Sequence, residues 1–307
     1  MTRAVVFAYS EVGVRCIREL LAQGVEIPLL FTHADDPGEN QWFGSVKQLG
    51  EAHGLKVVTD DPNTPEWIVA GRAAKADFVF SFYYRHMLEK SWLAVPRCGA
   101  LNMHGSLLPK YRGRAPVHWA ILNGESATGA SLHYMVEKPD AGNLVDQEPV
   151  PILENDTALD VSLKVAEAAA LIMRRSLPAL AAGRAPATPL DLAQGSYYGR
   201  RRPEDGRIDW RRSARAVHDL VRAVAPPFPG AFSDVNGCRL AILETRLDGL
   251  PVRYAERAPC LYAADGEWYA DCADGRRLRI ARLAIDGEPV MPERAPPALA
   301  HQPLALV

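Results

Sequence analysis

The feature that most constrains this chain is the alternation of short β-branched or aromatic runs with helical windows over its first third. Val5-Val6-Phe7 precedes an amphipathic window at 14–21. An apolar run at 27–31 is followed by a second helical window before Lys56-Val57-Val58. Residues 67–74 then precede Phe78-Val79-Phe80, and Ala100-Leu101-Asn102-Met103 closes the series. Strand and helix taking turns at this spacing predict an α/β fold, a Rossmann-like doubly wound parallel sheet. In such sheets ligands sit outside the carboxyl ends of the strands. The segments just after Phe7, Phe31, Phe80 and Leu101 are therefore where chemistry is expected.

The pattern changes further on. Asn155-Asp156-Thr157 is a helix-start signal, and an Ala-rich helical stretch runs from it to Leu180, where Gly183, Pro186 and Pro189 break it. This divides the chain into an expected catalytic domain at 1–182, a linker at 183–199 and a smaller C-terminal domain at 200–307. The last part has one helical window, 213–224. After it come short strand-like runs separated by Asn236-Gly237, Asp265-Gly266 and Asp274-Gly275, which predict a β-rich, OB-like barrel or open sheet. The Pro- and Ala-rich tail, 292–307, is expected to fray.

Composition excludes several functions. The 307 residues are long enough for two cores, and 35 Lys plus Arg against 37 Asp plus Glu leaves no global field to draw the chain onto nucleic acid or an anionic membrane. Residues 190–307 hold 17 Arg, no Lys and 16 acids. The second domain is thus no basic platform. Five cysteines without a C-x-x-C pair suggest neither a disulfide framework nor a zinc ribbon, and free thiols in a reducing cytoplasm are expected. The apolar run after Met1-Thr2-Arg3 is too short for a signal peptide, and no stretch reaches the roughly 20 apolar residues that cross a bilayer.

The first strand-to-helix turn, Ala8-Tyr9-Ser10-Glu11-Val12-Gly13, has one glycine where a dinucleotide fingerprint needs three, which demotes a nicotinamide-dependent oxidoreductase to a rival reading. The densest chemistry lies in Asn102-Met103-His104-Gly105-Ser106-Leu107-Leu108-Pro109 and the following Lys110-Tyr111-Arg112-Gly113-Arg114-Ala115-Pro116. Period-two alternation points Asn102 and His104 to the same side of a strand, so an amide and an imidazole can converge on one small group. Such a pair suits acyl transfer, the amide stabilising an oxyanion while the imidazole moves a proton.

At this cluster the chain resembles the formyltransferases that use 10-formyltetrahydrofolate, whose signature is Asn-x-His followed by Ser-Leu-Leu-Pro with an Asp downstream. The resemblance implies that Asn102 holds the oxyanion, that His104 handles the proton, and that Asp140, in Glu137-Lys138-Pro139-Asp140-Ala141-Gly142, sits against the imidazole and raises its pKa. It further implies that 10-formyltetrahydrofolate, the co-substrate, lies against His86, Met87 and Leu88, with Arg114, Val136, Glu137, Lys138, Pro139 and Asp140 also lining its site, and that no metal is needed. The similarity is greatest to the branch of the family that formylates UDP-4-amino-4-deoxy-L-arabinose. It is carried by Phe31-Thr32-His33, Asp36-Pro37-Gly38-Glu39, Phe80 to His86, Gly199-Arg200-Arg201, Val221 to Val224 and Phe228-Pro229-Gly230-Ala231-Phe232, and it fades beyond about residue 247. There the transferase is fused to a decarboxylating dehydrogenase, so the preceding oxidation is expected to fall to a separate chain. The expected acceptor is a small nucleotide sugar, with no nucleic-acid or membrane partner. Methionyl-tRNA formyltransfer is the nearest rival, and a non-catalytic nucleotide-sugar binding module another. The arginines at 200–202, 207, 211, 212 and 215 could reach a nucleotide diphosphate, although a solvated face is the plainer reading.

Overall fold

The computed structural model describes residues 1–36, 38, 40–294 and 303–306. In chain order the elements are β1 (Arg3–Ala8), α1 (Ser10–Ala22), β2 (Glu26–Phe31), α2 (Val46–Ala52), β3 (Val57–Val58), α3 (Pro65–Ala73), β4 (Phe78–Phe82), α4 (Lys90–Leu93), β5 (Gly99–His104), β6 (Arg112–Gly113), α5 (Pro116–Leu122), β7 (Ala127–Tyr134), β8 (Leu144–Pro151), α6 (Ala158–Ala181), β9 (Tyr197–Tyr198), α7 (Ala214–Val224), β10 (Ala231–Val235), β11 (Cys238–Pro251), β12 (Cys260–Ala264), β13 (Glu267–Asp271), β14 (Arg276–Ile285), β15 (Glu288–Pro289) and β16 (Leu304–Ala305). They form two compact units. One holds Met1–Pro116, Ala127–Pro151 and Val161–Gly199, the other Val117–Ser126, Ile152–Asp160 and Arg200–Val307.

The first unit is built on a sheet of order β3-β2-β1-β4-β5-β7-β8. Its first five strands are parallel, as the alternation predicts, with Val6 beside Leu30 and Phe80, and Phe80 beside Leu101. β7 and β8 extend it in the antiparallel sense. One face buries Val5, Phe7, Leu29, Phe31, Val79 and Trp92. Phe7 and Phe31 stack at 4.6 Å, Trp92 meets both edge-on, and its indole N–H is satisfied by the Pro62 carbonyl at 2.9 Å. α6 starts on a capping pair: the Asp160 carboxylate accepts from the Thr157 N–H, and the Thr157 hydroxyl accepts from the Asp160 N–H.

The second unit pairs α7 with an open antiparallel sheet of order β10-β11-β14-β13-β12-β16, β15 lying on β14. Ser213 caps α7 by accepting from the Ala216 N–H. The hairpin signals do what their chemistry allows: Asn236 and Gly237, and Asp265 and Gly266, all take positive φ. β11 and β14 are long and interrupted by register shifts, which bend them. Trp210, Val221, Leu240, Ile242, Trp268 and Leu278 share the core. Of the tail, Leu304–Ala305 pairs with β12, while residues 295–302 and 307 lie outside the described residues. All five cysteines are free thiols. Among the described residues no helix is long and apolar enough to cross a membrane.

Candidate active site

β5 carries Asn102 and His104 on one face at its carboxyl end, and the antiparallel neighbour β7 sets the opposing residues: His133 faces Asn102 and Ser131 faces His104. The chain after β7 returns to bring Asp140 to this point, with Asp140 held at φ +50°. One carboxylate oxygen of Asp140 is 3.5 Å from Nδ1 of His104, 3.6 Å from Nε2 of His133 and 3.5 Å from Nδ2 of Asn102. The other accepts from the Gly113 N–H at 2.8 Å. Burial pushes the Asp140 carboxyl up, but the His104 imidazole, the His133 ring and the Gly113 N–H outweigh burial and hold it well below the usual carboxylate range. Asn102, His104 and Asp140 are thus brought together.

The loop that follows β5 is densely hydrogen-bonded to β7 and β8. The His104 Nε2–H donates to the Tyr111 carbonyl at 2.8 Å, which leaves the imidazole between that carbonyl and the Asp140 carboxylate. Ser131 donates to the Ser106 carbonyl at 2.6 Å and accepts from the Leu108 N–H at 3.1 Å, and Gln147 bonds both the Leu108 carbonyl and Ser131. The Leu108–Pro109 peptide is cis. β6 is pinned by β9: Tyr111 stacks on Tyr198 at 5.3 Å, and the Arg114 N–H donates to the Tyr198 carbonyl. Arg112 is buried, and its Nε has no hydrogen-bond partner among the described residues.

The residues expected at the folate site fall on two segments. His86, Met87 and Leu88 follow β4, where His86 packs edge-on against His33 and Tyr84, and the Met87 carbonyl accepts from Asn63. Val136, Glu137, Lys138 and Pro139 follow β7. The two segments are tied by the Lys90–Glu137 ion pair, and Leu88 and Met135 flank the same apolar core. Met87 is 59% exposed and Val136 46%. Arg114 contributes its backbone to the β9 pairing, and its side chain is exposed. His133 was not singled out in the sequence. Only the antiparallel register with Asn102, 31 residues away, reveals it. Of the seven arginines at 200–202, 207, 211, 212 and 215, three meet carboxylates of their own unit, Arg207 with Asp234, Arg211 with Asp209 and Arg215 with Glu154, while Arg201 lies over Trp119 at 5.2 Å. Among the described residues no group of three His, Cys, Asp or Glu side chains is placed to hold a metal ion.

An α/β sheet that gathers an amide, an imidazole and a depressed carboxylate at one strand end has the makings of a group-transfer enzyme. Residues 6–177 match the formyl transferase family model and residues 201–295 that of the formyl transferase C-terminal domain, and the chain belongs to the formyltransferase family. Among solved structures it is similar to the N-formyltransferase from Helicobacter canadensis in complex with folinic acid and dTDP-3-aminofucose (20% identity, TM-score 0.74, covering 91% of this chain and 99% of that one). It is also similar to a 4-N formyltransferase from Francisella tularensis (17% identity, TM-score 0.62, 76% and 93%) and to HypX from Aquifex aeolicus in complex with tetrahydrofolic acid (19%, 0.61, 92% and 44%).

Proposed function

We propose that this formyltransferase moves the formyl group of 10-formyltetrahydrofolate onto the 4-amino group of a UDP-linked amino sugar, UDP-4-amino-4-deoxy-L-arabinose, a reaction that serves modification of lipid A and polymyxin resistance. The convergence of Asn102, His104 and Asp140 within 3.5 Å carries the chemistry. As the amine attacks the formyl carbon, an Asn102 N–H stabilises the oxygen that gains charge. His104, oriented by the Tyr111 carbonyl and Asp140, takes the proton that the amine loses and returns one to the departing folate nitrogen. Removing one oxyanion donor typically costs about 2.7–4 kcal/mol, and acid–base catalysis supplies about 10²- to 10⁴-fold.

The folate assignment draws on His86, Met87, Leu88, Arg114 and Val136 to Asp140. Two large apolar side chains, Met87 and Val136, are left exposed on these segments, and a planar pterin ring would cover them. The N-formyltransferase from H. canadensis, in complex with folinic acid and a nucleotide sugar, supports the same pairing of substrates. The acceptor reading rests on the similarity to the aminoarabinose branch, on the near-balance of 17 Arg against 16 acids over residues 190–307, and on the Arg112 guanidinium, a buried cation that an anionic substrate would balance.

The test compares acceptors with 10-formyltetrahydrofolate as donor: UDP-4-amino-4-deoxy-L-arabinose, dTDP-linked 3- and 4-amino sugars, and methionyl-tRNA at about 50 mM salt, where counterion release favours tRNA most. The UDP sugar is expected to give the highest kcat/KM. A higher value for methionyl-tRNA or for a dTDP sugar overturns the acceptor while leaving formyl transfer in place.

A further inference from the structure

We propose that His133 is a positioning residue that fixes the amide plane of Asn102, so that the amide nitrogen, and not its oxygen, faces the reacting centre. The inference rests on the oxyanion role proposed above for Asn102. His133 is 1% exposed and is the register partner of Asn102 across the β5–β7 pair. Its Nδ1 lies 2.8 Å from the Tyr134 carbonyl, a group that only accepts, so Nδ1 carries the proton and Nε2 presents a lone pair when the ring is neutral. In the neutral ring that Nε2, 3.2 Å from Nδ2 of Asn102, accepts one of its two N–H bonds, while the Asp140 carboxylate oxygen lies farther off at 3.6 Å.

The second Asn102 N–H points toward the Asp140 carboxylate at 3.5 Å, at the outer limit of a hydrogen bond. It is loosely held and free to turn to an oxygen that develops charge. Rotating the amide by half a turn would set its oxygen against two acceptors at once, the His133 lone pair and the Asp140 carboxylate. Both neighbours therefore reject that rotamer. Asp140 alone would leave it weakly specified at this distance, and His133 supplies the closer contact. A donor already aimed at the oxyanion needs no rearrangement during the reaction, which is the source of its catalytic worth.

The experiment has a kinetic and a spectroscopic arm. With 10-formyltetrahydrofolate and UDP-4-amino-4-deoxy-L-arabinose, His133→Ala is expected to lower kcat by about 10- to 100-fold, with KM for either substrate within about threefold. His133→Gln, whose amide oxygen can accept from Asn102, should return to within about fivefold of the natural enzyme. In an Asn102→Ala background the further change His133→Ala should cost less than about threefold, because the route through the Asn102 amide, the closer of its two contacts, is gone. A loss of the same size in both backgrounds, or no loss in the single variant, overturns the proposal. The second arm needs no acceptor. In protein labelled with ¹⁵N-asparagine, the Asn102 side-chain amide pair, assigned by its absence in Asn102→Ala, should move in His133→Ala and return toward its original position in His133→Gln. An amide pair indifferent to His133 also overturns the proposal. If the unaltered enzyme does not turn over the chosen sugar, the acceptor reading fails and the amide resonances alone decide the role of His133.

Discussion

Gly105→Ala is the most informative single substitution next to the site. Gly105 follows His104 directly, and its φ is not in the left-handed region, so alanine meets no backbone penalty there. The obstacle is steric. A Cβ at this position would lie 1.7 Å from the hydroxyl oxygen of Tyr83 and 2.8 Å from its Cζ. Tyr83 has little room to retreat: it sits at φ +57° just past β4, whose Phe82 pairs with Met103. Relieving the clash requires a shift of more than about 1 Å in either Tyr83 or the His104–Gly105 backbone, and overpacking of this kind costs about 1–3 kcal/mol. In a domain of this size that lowers the melting temperature by about 2–4 °C per kcal/mol. Displacing a catalytic imidazole by about 1 Å can cost about 100-fold in rate. Thermal and urea unfolding would measure the first effect, and formyl transfer the second. Tyr83→Phe removes the atom at 1.7 Å and leaves Cζ at 2.8 Å. The double variant should therefore recover at least half of the lost stability. A Gly105→Ala protein with unchanged melting and turnover, or one that Tyr83→Phe does not help, refutes this steric account of the site.

Asn102→Ala and His104→Ala should each lower kcat by at least about 100-fold without unfolding the protein, and near-normal turnover in either, measured with the acceptor that the unaltered enzyme prefers, would remove that residue from the reaction. Asp140, whose carboxyl is held below its ordinary value, contributes stability that is fully present above the unfolded carboxylate value of about 3.9 and lost as pH falls toward the folded value. The stability gap between the natural protein and Asp140→Asn, followed by urea unfolding, should accordingly hold constant from pH 7 to about 5 and close only below about 4. An unchanging gap down to pH 3 would deny Asp140 its electrostatic part. His118 packs edge-on against Phe228, and burial, with the Arg201 charge adding to it, pushes its pKa down to about 4 against a bond to the Ala223 carbonyl. A depressed histidine takes up its proton first in the unfolded chain, so stability is full above about pH 6.5 and declines toward pH 4 by about 3 kcal/mol. His118→Gln should flatten that decline in urea titrations at pH 7, 5.5 and 4.5, and identical slopes for the two proteins would refute it.

Local periodicity was enough to read the parallel half of the first sheet, the helix that starts at the Thr157–Asp160 capping pair, and the glycine turns of the second unit, because each depends on residues within a few positions of one another. The same held for Asn102 and His104, two apart on one strand and so on one face. What needed the tertiary structure were pairings between distant strands. The sequence does not state that β7 runs antiparallel to β5, and only that register sets His133 against Asn102 and Ser131 against His104. Nor does it state that Asp140 turns back to Gly113 and both histidines, a placement made by a loop whose conformation depends on the strands it joins. The arginines beyond residue 200 carry the same lesson, since a run of cations looks free in sequence until Asp234, 27 residues from Arg207, is folded against it. Side-chain period is a property of the local backbone, whereas register and charge pairing are decided by which distant segments share a core, and a change of one residue in register would turn His133 to the other face of the sheet.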